Sequence, residues 1–274
     1  MNKSIAAIPN LLLASLPRKE YLKLLPDLSL VMLNYGDILY ETHTPMANVY
    51  FPVDCLVSLL TKVDRHLLLE VGMVGREGMV GTSIALGSKV SGVRALVQGS
   101  GTALQMSKAR FLSALQRSPP LRRAVNFYID ALMRQVSQTA ACNRFHPVEE
   151  RLARWLLMTR DRLKTGQFLL THDFLSHMLG VRRVGVSQAA FIFQKQKLIE
   201  YSRGKINILN HKGLEAASCS CYAKGSTTIA PWRPVNGSVR RQLPLPGVAI
   251  PAARINTGAT KKAIGGVTTA KSSV

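Results

Sequence analysis

The chain has 274 residues, 47% of them hydrophobic, and a formal net charge of +21 at neutral pH. This hydrophobic content excludes a wholly disordered chain, and no apolar run reaches the roughly 18 to 20 residues that a membrane helix needs. The basic excess favours a polyanion such as nucleic acid as a partner. Because charged residues closely follow the first short apolar run, we expect no signal peptide, no membrane partner and a cytoplasmic location.

The first part of the chain predicts a β-roll. Residues 10–25 indicate one or two short helices, with Asn10 as an N-cap. Between residues 28 and 106, seven short runs of β-forming residues are separated by turns that contain glycine or proline. This pattern is typical of a jelly-roll-like, double-stranded β-helix. Residues 77–86 predict a short helix between two strands, and we assign residues 1–117 to the roll domain.

The next segment, residues 118–145, predicts one long helix capped by Ser118. A helix of this length beside a roll has more apolar surface than one domain readily covers, so we expect it to pair with its copy in a homodimer. In the alternative, the helix packs only on its own roll. The apolar residues at spacings of three and four that we assign to the dimer seam are Leu121, Val125, Ile129, Leu132 and Val136.

Residues 146–222 predict a winged helix-turn-helix domain. Apolar residues between positions 174 and 179 share one face of a first helix, and Gly180 suits the left-handed conformation that ends it. A second helix follows, with an apolar inner stripe and a polar, basic outer side. The pair Arg203-Gly204 then lies between two short β-forming runs, as in the hairpin of a wing. Arginine and glutamine on the outer side of the second helix suit the DNA major groove.

The last segment, residues 223–274, contains eight basic and no acidic residues and is rich in glycine and proline. This composition predicts a disordered tail. The tail either adds non-specific affinity for DNA or is a poorly constrained extension.

The four cysteines give little sign of a site in the sequence alone. Cys55 falls in a strand run and is expected to be a small core residue. The pair Cys219-Ser220-Cys221 could bind a metal or form a redox pair, but no second close pair of cysteine or histidine accompanies it. We therefore expect ordinary thiols near a helix end, no metal site and no cofactor.

The order of these parts resembles the Crp/Fnr family of bacterial transcription regulators over about residues 10–222. The segments that carry the resemblance are LGVRRVGV at 179–186 and LIEYSRG at 198–204. The resemblance implies an α+β fold with a cyclic-nucleotide-binding-like sensor roll, a dimerisation helix at 118–145 and a DNA-binding winged helix-turn-helix. It also implies a dimeric regulator that binds a near-palindromic site in double-stranded DNA, with RNA polymerase as a further partner.

The resemblance also implies roles for residues of the DNA-binding domain. By position, Arg183 and Gln188 would read bases, with Arg182 and Ser187 beside them. The residues expected to contact phosphates are Thr171, His172, Arg203 and Lys205. Val184 and Gln188 replace the Glu and the second Arg of cyclic-AMP-responsive members, so their operator sequence is not carried over to this chain.

The cyclic-nucleotide cassette of the family departs from its pattern in this chain. Family members hold the ribose with a Glu and the cyclic phosphate with an Arg, whereas Thr82 and Ser91 stand at those positions here. We therefore expect no cyclic nucleotide and leave the effector unidentified. The residues that would line a pocket for another effector are Thr82, Ser83, Ser91 and Arg94.

No signature of a nucleotide-hydrolysing loop, a hydrolase elbow or a metalloprotease helix occurs, so we expect no enzyme. The alternative function is a ligand-binding or protein-interaction module in which the helix-turn-helix serves only as a scaffold. The basic outer side of the second helix argues against that alternative.

Overall fold

The computed structural model describes residues 10–63, 68–163 and 165–223. The predicted basic tail therefore lies outside the described residues from position 224 onward. The fold is α+β, as expected, with an N-terminal roll, a long helix and a C-terminal helical domain that carries a small sheet. No helix in these described ranges combines the length and the apolar content needed to cross a bilayer.

Two short helices precede the roll, α1 (Leu11–Ala14) and α2 (Arg18–Leu24). The predicted cap is confirmed, since the Asn10 side chain accepts a hydrogen bond of 3.1 Å from the Leu13 amide. The Asn10 side-chain amide nitrogen also donates hydrogen bonds to the carbonyls of Pro52 and Gly78, at 2.9 and 2.8 Å. One buried side chain thus starts α1 and joins it to the roll.

Seven strands form two antiparallel sheets that face each other, in the orders β1-β7-β3 and β2-β6-β4-β5. All seven predicted strands are present. Their bounds are β1 Ser29–Leu33, β2 Ile38–Tyr40, β3 Asn48–Pro52, β4 Leu56–Lys62, β5 Leu68–Val74, β6 Arg94–Gly99 and β7 Gly101–Ser107. The roll interior is apolar, and its fully buried residues include Val49, Phe51, Val97 and Leu104.

The helix predicted over 77–86 is wrong in its first half, because only α3 (Thr82–Ala85) is helical. Val80 is extended and exchanges two backbone hydrogen bonds with Tyr50, of 2.8 and 3.1 Å. Gly81 then adopts φ 95°, a left-handed conformation that glycine tolerates best. The strand contact therefore delays the helix until after Gly81.

Helix α4 (Lys108–Arg117) leads into α5 (Pro119–Phe145), which Ser118 caps by accepting a 3.3 Å hydrogen bond from the Leu121 amide. The first half of α5 packs on the roll of its own chain. Of the five residues assigned to a dimer seam, Leu121, Val125 and Leu132 lie in the roll core, at most 8% exposed. Those three are therefore unavailable to a second chain, while Ile129 and Val136 are half-buried.

The C-terminal domain is a winged helix-turn-helix, as predicted. Its sheet has the order β8-β10-β9. The elements are α6 Val148–Leu163, β8 Gln167–Leu169, α7 His172–Leu179, α8 Arg183–Lys195, β9 Ile199–Ser202, β10 Lys205–Ile208 and α9 His211–Ala216. Gly180 ends α7 with φ 60°, and Arg203 and Gly204 form the wing turn with φ 49° and 77°. Positive φ at both turn residues matches a tight two-residue hairpin.

The roll and the C-terminal domain share a buried contact through α6, which packs on β4 and β5. The Trp155 indole N–H donates to a Glu70 carboxylate oxygen at 2.9 Å. The Arg162 Nε–H donates to Glu77 at 2.7 Å, and both side chains of this ion pair are at least 94% buried. The contact thus combines apolar packing with buried polar pairs.

Candidate nucleic-acid interface and a buried thiol cluster

Helix α8 presents one polar face to solvent and packs the other into the domain core. Val186, Ala189 and Phe193 are at most 2% exposed and hold the helix against the core. Arg182, at the N-cap, and Arg183 and Gln188 are exposed on the opposite side. Three of the four predicted base-reading residues therefore lie on one accessible surface with the donors and acceptors that base edges require.

The fourth predicted base reader, Ser187, is half-buried and already bonded within the domain. Its hydroxyl donates to the Arg183 carbonyl at 3.1 Å and lies 2.9 Å from His172 Nδ1. The His172 ring stacks on Tyr201 with centroids 4.2 Å apart. Burial, with a smaller effect of the Arg183 charge, lowers the pKa of His172 below its usual value. A neutral, stacked imidazole orients Ser187 and lacks the charge that attracts a phosphate.

The other three predicted phosphate contacts surround the wing turn. Arg203 and Lys205 are exposed on either side of Gly204. The Gly204 carbonyl accepts a 2.7 Å hydrogen bond from the Leu170 amide, which places the turn beside the start of α7. There Thr171 is exposed and caps α7 by accepting from the Phe174 amide at 3.1 Å. Two cations and a helix N-terminus thus lie together, an arrangement suited to anions.

Two apolar side chains that were not among the predicted base-reading residues lie on the same face of α8. Val184 and Phe191 are 60% and 67% exposed. Large apolar side chains on a basic surface are suited to contacts with the methyl groups of thymine. Their spacing of seven residues, two helical turns, was the signal in the sequence that places them on one side.

The four residues proposed to line an effector pocket do not offer an unpaired charge to a ligand. Arg94 pairs with Glu41 through two contacts of 3.0 and 2.9 Å. Ser91 is 2% exposed, and its hydroxyl donates to the Val93 carbonyl at 2.6 Å. Thr82 and Ser83 lie on α3, where the Ser83 hydroxyl contacts the Met46 sulfur at 3.5 Å. These residues bond mainly to their own surroundings.

The structure brings a second pair of potential metal ligands to Cys219 and Cys221, although no such pair lies close to them in the sequence. Cys142 and His146, one turn apart near the end of α5, meet them after α9. The Cys142 and Cys219 sulfurs are 3.6 Å apart, and Cys221 Sγ is 3.6 Å from His146 Nδ1. All four ligand atoms lie within 4.8 Å of one another. A local sequence pattern could not predict this set of four residues, because two of its members lie more than 70 residues upstream of the others.

The thiols of the cluster differ from the isolated thiol of the roll. The hydrogen bond with Cys219 lowers the pKa of Cys142, and the same contact raises the pKa of Cys219. Cys55 is fully buried, as predicted for a core residue, and burial raises the pKa of its thiol to about 12. Among these three thiols, only that of Cys142 has a lowered pKa.

Comparisons with known proteins identify the C-terminal domain and the overall fold. Residues 150–217 match the Crp-like helix-turn-helix domain family. FixK2 from Bradyrhizobium japonicum is 15% identical, with a TM-score of 0.60 over 70% of this chain and 98% of its own. A CRP-family transcriptional regulator from Thermus thermophilus is 16% identical, with a TM-score of 0.59 over 69% of this chain and 96% of its own.

A third solved structure is the c-di-GMP-responsive global regulator CLP from Xanthomonas campestris. It is 15% identical, with a TM-score of 0.59 over 70% of this chain and 99% of its own. At these identities the structures show a common fold. No curated protein sequence matches the chain significantly.

Proposed function

We propose that this protein is a sequence-specific, DNA-binding transcription regulator that acts in the cytoplasm. The chain carries a Crp-like helix-turn-helix domain and has the fold of Crp/Fnr regulators. The observation that carries the proposal is the exposed face of α8, where Arg182, Arg183 and Gln188 lie beside the cationic wing. Arginine and glutamine form paired hydrogen bonds to guanine and adenine edges in the major groove. Contact with RNA polymerase stays a prediction.

In the proposed complex, α8 enters the major groove, and the wing follows the sugar-phosphate backbone. Arg203 and Lys205 supply positive charge to phosphates, and Thr171 with the N-terminus of α7 fixes the register. His172 and Ser187 support the surface from behind through their contact with each other. Sequence preference then comes chiefly from Arg183 and Gln188.

We further propose that two copies pair through a revised seam on α5. With Leu121, Val125 and Leu132 in the roll core, the remaining apolar stripe consists of Ile129, Met133, Val136 and Ala140, of which Ile129 also packs partly on the roll core. Their spacings of four, three and four residues are those of a coiled-coil seam. Met133 is 60% exposed at the middle of this stripe. A two-fold pair would place the two α8 helices about one duplex turn, roughly 34 Å, apart on a near-palindromic site.

Replacement of Arg183 tests the assignment of base recognition. Arg183→Ala should weaken binding to the preferred site by about 1–3 kcal/mol and relax base preference at one position, because a pair of hydrogen bonds to a base is lost. The measurement is selection of bound sequences from a random duplex library, followed by affinity titrations. Lys205→Ala is the matched control and should weaken binding to all sequences alike. If the wild-type chain enriches no sequence, the helix-turn-helix is only a scaffold.

Replacement of Met133 tests the revised seam. Met133→Lys should convert a dimer of 30.0 kDa chains to monomers, because it places a charge in an apolar interface. Phe127→Lys is the control, since Phe127 is also exposed and lies about a third of a turn away around α5. Sedimentation equilibrium measures both masses. A Met133→Lys chain that remains dimeric would place the interface elsewhere.

A further inference from the structure

We propose that Cys142, His146, Cys219 and Cys221 form a tetrahedral zinc site that joins the end of α5 to the end of the winged helix-turn-helix domain. These are the residue types that structural zinc sites use, in the Cys₃His combination. Cys142 lies in the last turn of α5, and His146 is the C-cap of that helix, where its amide donates a 3.1 Å hydrogen bond to the Cys142 carbonyl. Cys219 and Cys221 reach the same point from the segment after α9.

Two of the separations between the ligand atoms are close to those around a single tetrahedral ion, and all of them are at most 4.8 Å. With Zn–S bonds of about 2.3 Å and Zn–N bonds of about 2.0 Å, a tetrahedron sets sulfurs roughly 3.8 Å apart and sulfur from nitrogen roughly 3.5 Å. The Cys142–Cys219 and Cys221–His146 separations are both 3.6 Å. An iron–sulfur cluster would attach its ligands to different irons and spread them farther apart. The compact set therefore favours one ion.

The surroundings of the cluster also suit a bound metal ion. The Gln138 side-chain amide donates a 2.9 Å hydrogen bond to Cys221 Sγ, the kind of outer contact that orients a thiolate ligand. Arg151 and Arg154, both on α6 and at most 8% exposed, line one small cleft with Cys142. The Nε atoms of these two arginines lack hydrogen-bond partners.

The negative charge of a zinc–thiolate unit would explain why Arg151 and Arg154 are buried beside the cluster. Three thiolates and a neutral imidazole around Zn²⁺ carry a net charge of −1, after the thiols release their protons to solvent. Arg151 and Arg154 line the same cleft as Cys142, one of the proposed thiolate ligands. Buried cations are stabilised by a nearby negative charge, which the metal–thiolate unit would supply. The ion and the arginines would thus stabilise each other.

The location of the site gives it a structural consequence. Cys142 and His146 lie just before Pro147, at the junction where α5 ends and α6 begins. A metal at this point would close the polypeptide around the whole winged helix-turn-helix domain and fix its attachment to α5. The effect on DNA binding rests on the proposed function, whereas the metal site itself does not.

The test uses the full chain, purified under reducing conditions, with zinc content measured by mass spectrometry and Co²⁺ as a spectroscopic probe. We expect one zinc ion per chain and, with Co²⁺, thiolate-to-metal charge transfer together with the intense visible bands of tetrahedral coordination. A wild-type chain that binds no metal, or that gives the weak bands of octahedral cobalt, would overturn the proposal. A chain that forms a Cys142–Cys219 disulfide but binds neither ion when reduced would also overturn it.

Variants locate the site. Cys142→Ser and Cys221→Ser should lose the ion, whereas Cys55→Ser, which alters the isolated buried thiol of the roll, should keep it. Equal metal content in all three would place the ion elsewhere and overturn the assignment. Gln138→Ala should lower metal affinity roughly 10- to 100-fold, as loss of an outer contact does.

One further variant keeps the test valid where a serine variant fails to fold. His146→Cys retains four ligands, so it should still bind one ion and should increase the charge-transfer absorption of Co²⁺ through a fourth thiolate. A folded His146→Cys chain with the wild-type cobalt spectrum would exclude His146 as a ligand. These readouts require no DNA, so failure of the metal site is distinguishable from failure of the proposed regulator function.

Discussion

The inside of the β-roll and the junction of α5 and α6 with the roll differ in chemistry. The roll interior consists mainly of apolar side chains, and its Ser91 and Arg94 bond to neighbouring groups of the roll. The junction buries Glu70, the Glu77–Arg162 pair and, at its end, the thiol–imidazole cluster. Groups able to respond to protons, metals or oxidants therefore concentrate at the junction, where the DNA-binding domain joins the rest of the chain.

The largest effect expected from this contrast comes from the buried ion pair between the roll and α6. Arg162→Met leaves the Glu77 charge buried without its cation, which should lower the free energy of unfolding by about 3–5 kcal/mol. The measurement is urea unfolding followed by circular dichroism. The double variant Glu77→Gln/Arg162→Met removes both charges and should recover most of this loss. An equal loss in the single and double variants would show that the pair contributes by packing alone.

A smaller, pH-dependent effect is expected at Glu70. Burial raises the pKa of Glu70 to about 7, against the weaker opposing effects of Ser58, Trp155, Arg162 and Arg154. The folded chain then holds a proton that the unfolded chain releases above its pKa of about 4.3. The contribution of this group to stability is therefore complete below that pH and is lost as pH rises toward 7.

Glu70→Gln provides the check, because an amide does not titrate and can still accept from Trp155. Thermal unfolding between pH 5 and 8 should show a flatter pH dependence for the variant than for the wild type. Glu41→Gln is a suitable control, since its side chain is 40% exposed in an ion pair on the roll. If the Glu70→Gln and wild-type curves run parallel, the junction carries no titrating carboxyl in this range.

Local patterns in the sequence were sufficient to predict much of the fold. Asn10, Ser118 and Gly180 each bond or turn as their residue types predict, because capping depends on neighbours a few positions away. The wing turn at Arg203-Gly204 was predicted in the same way, from the residues immediately around it. The exposure of Arg182, Arg183 and Gln188 could also be predicted, since helical periodicity alone separates them from the buried stripe of α8.

Features that depend on distant contacts were beyond a local pattern. Residues of α5 that pack on the roll could not be separated from a dimer seam, because periodicity finds an apolar face and does not say whether the chain's own roll covers it, as it covers Leu121 and Val125. The metal-ligand set was missed because Cys142 and Cys219 are 77 residues apart in the sequence. The sequence alone likewise did not show that His172 would stack on Tyr201.

The most direct measurement of the contrast between roll and junction is a side-by-side equilibrium titration of the full, reduced chain with Co²⁺ and with cyclic AMP and cyclic GMP. We expect one tetrahedral cobalt site per chain, with protons released on binding, and no binding of either nucleotide. Tight binding of a cyclic nucleotide by a chain that takes up no metal would contradict this expectation and would place the responsive chemistry inside the roll.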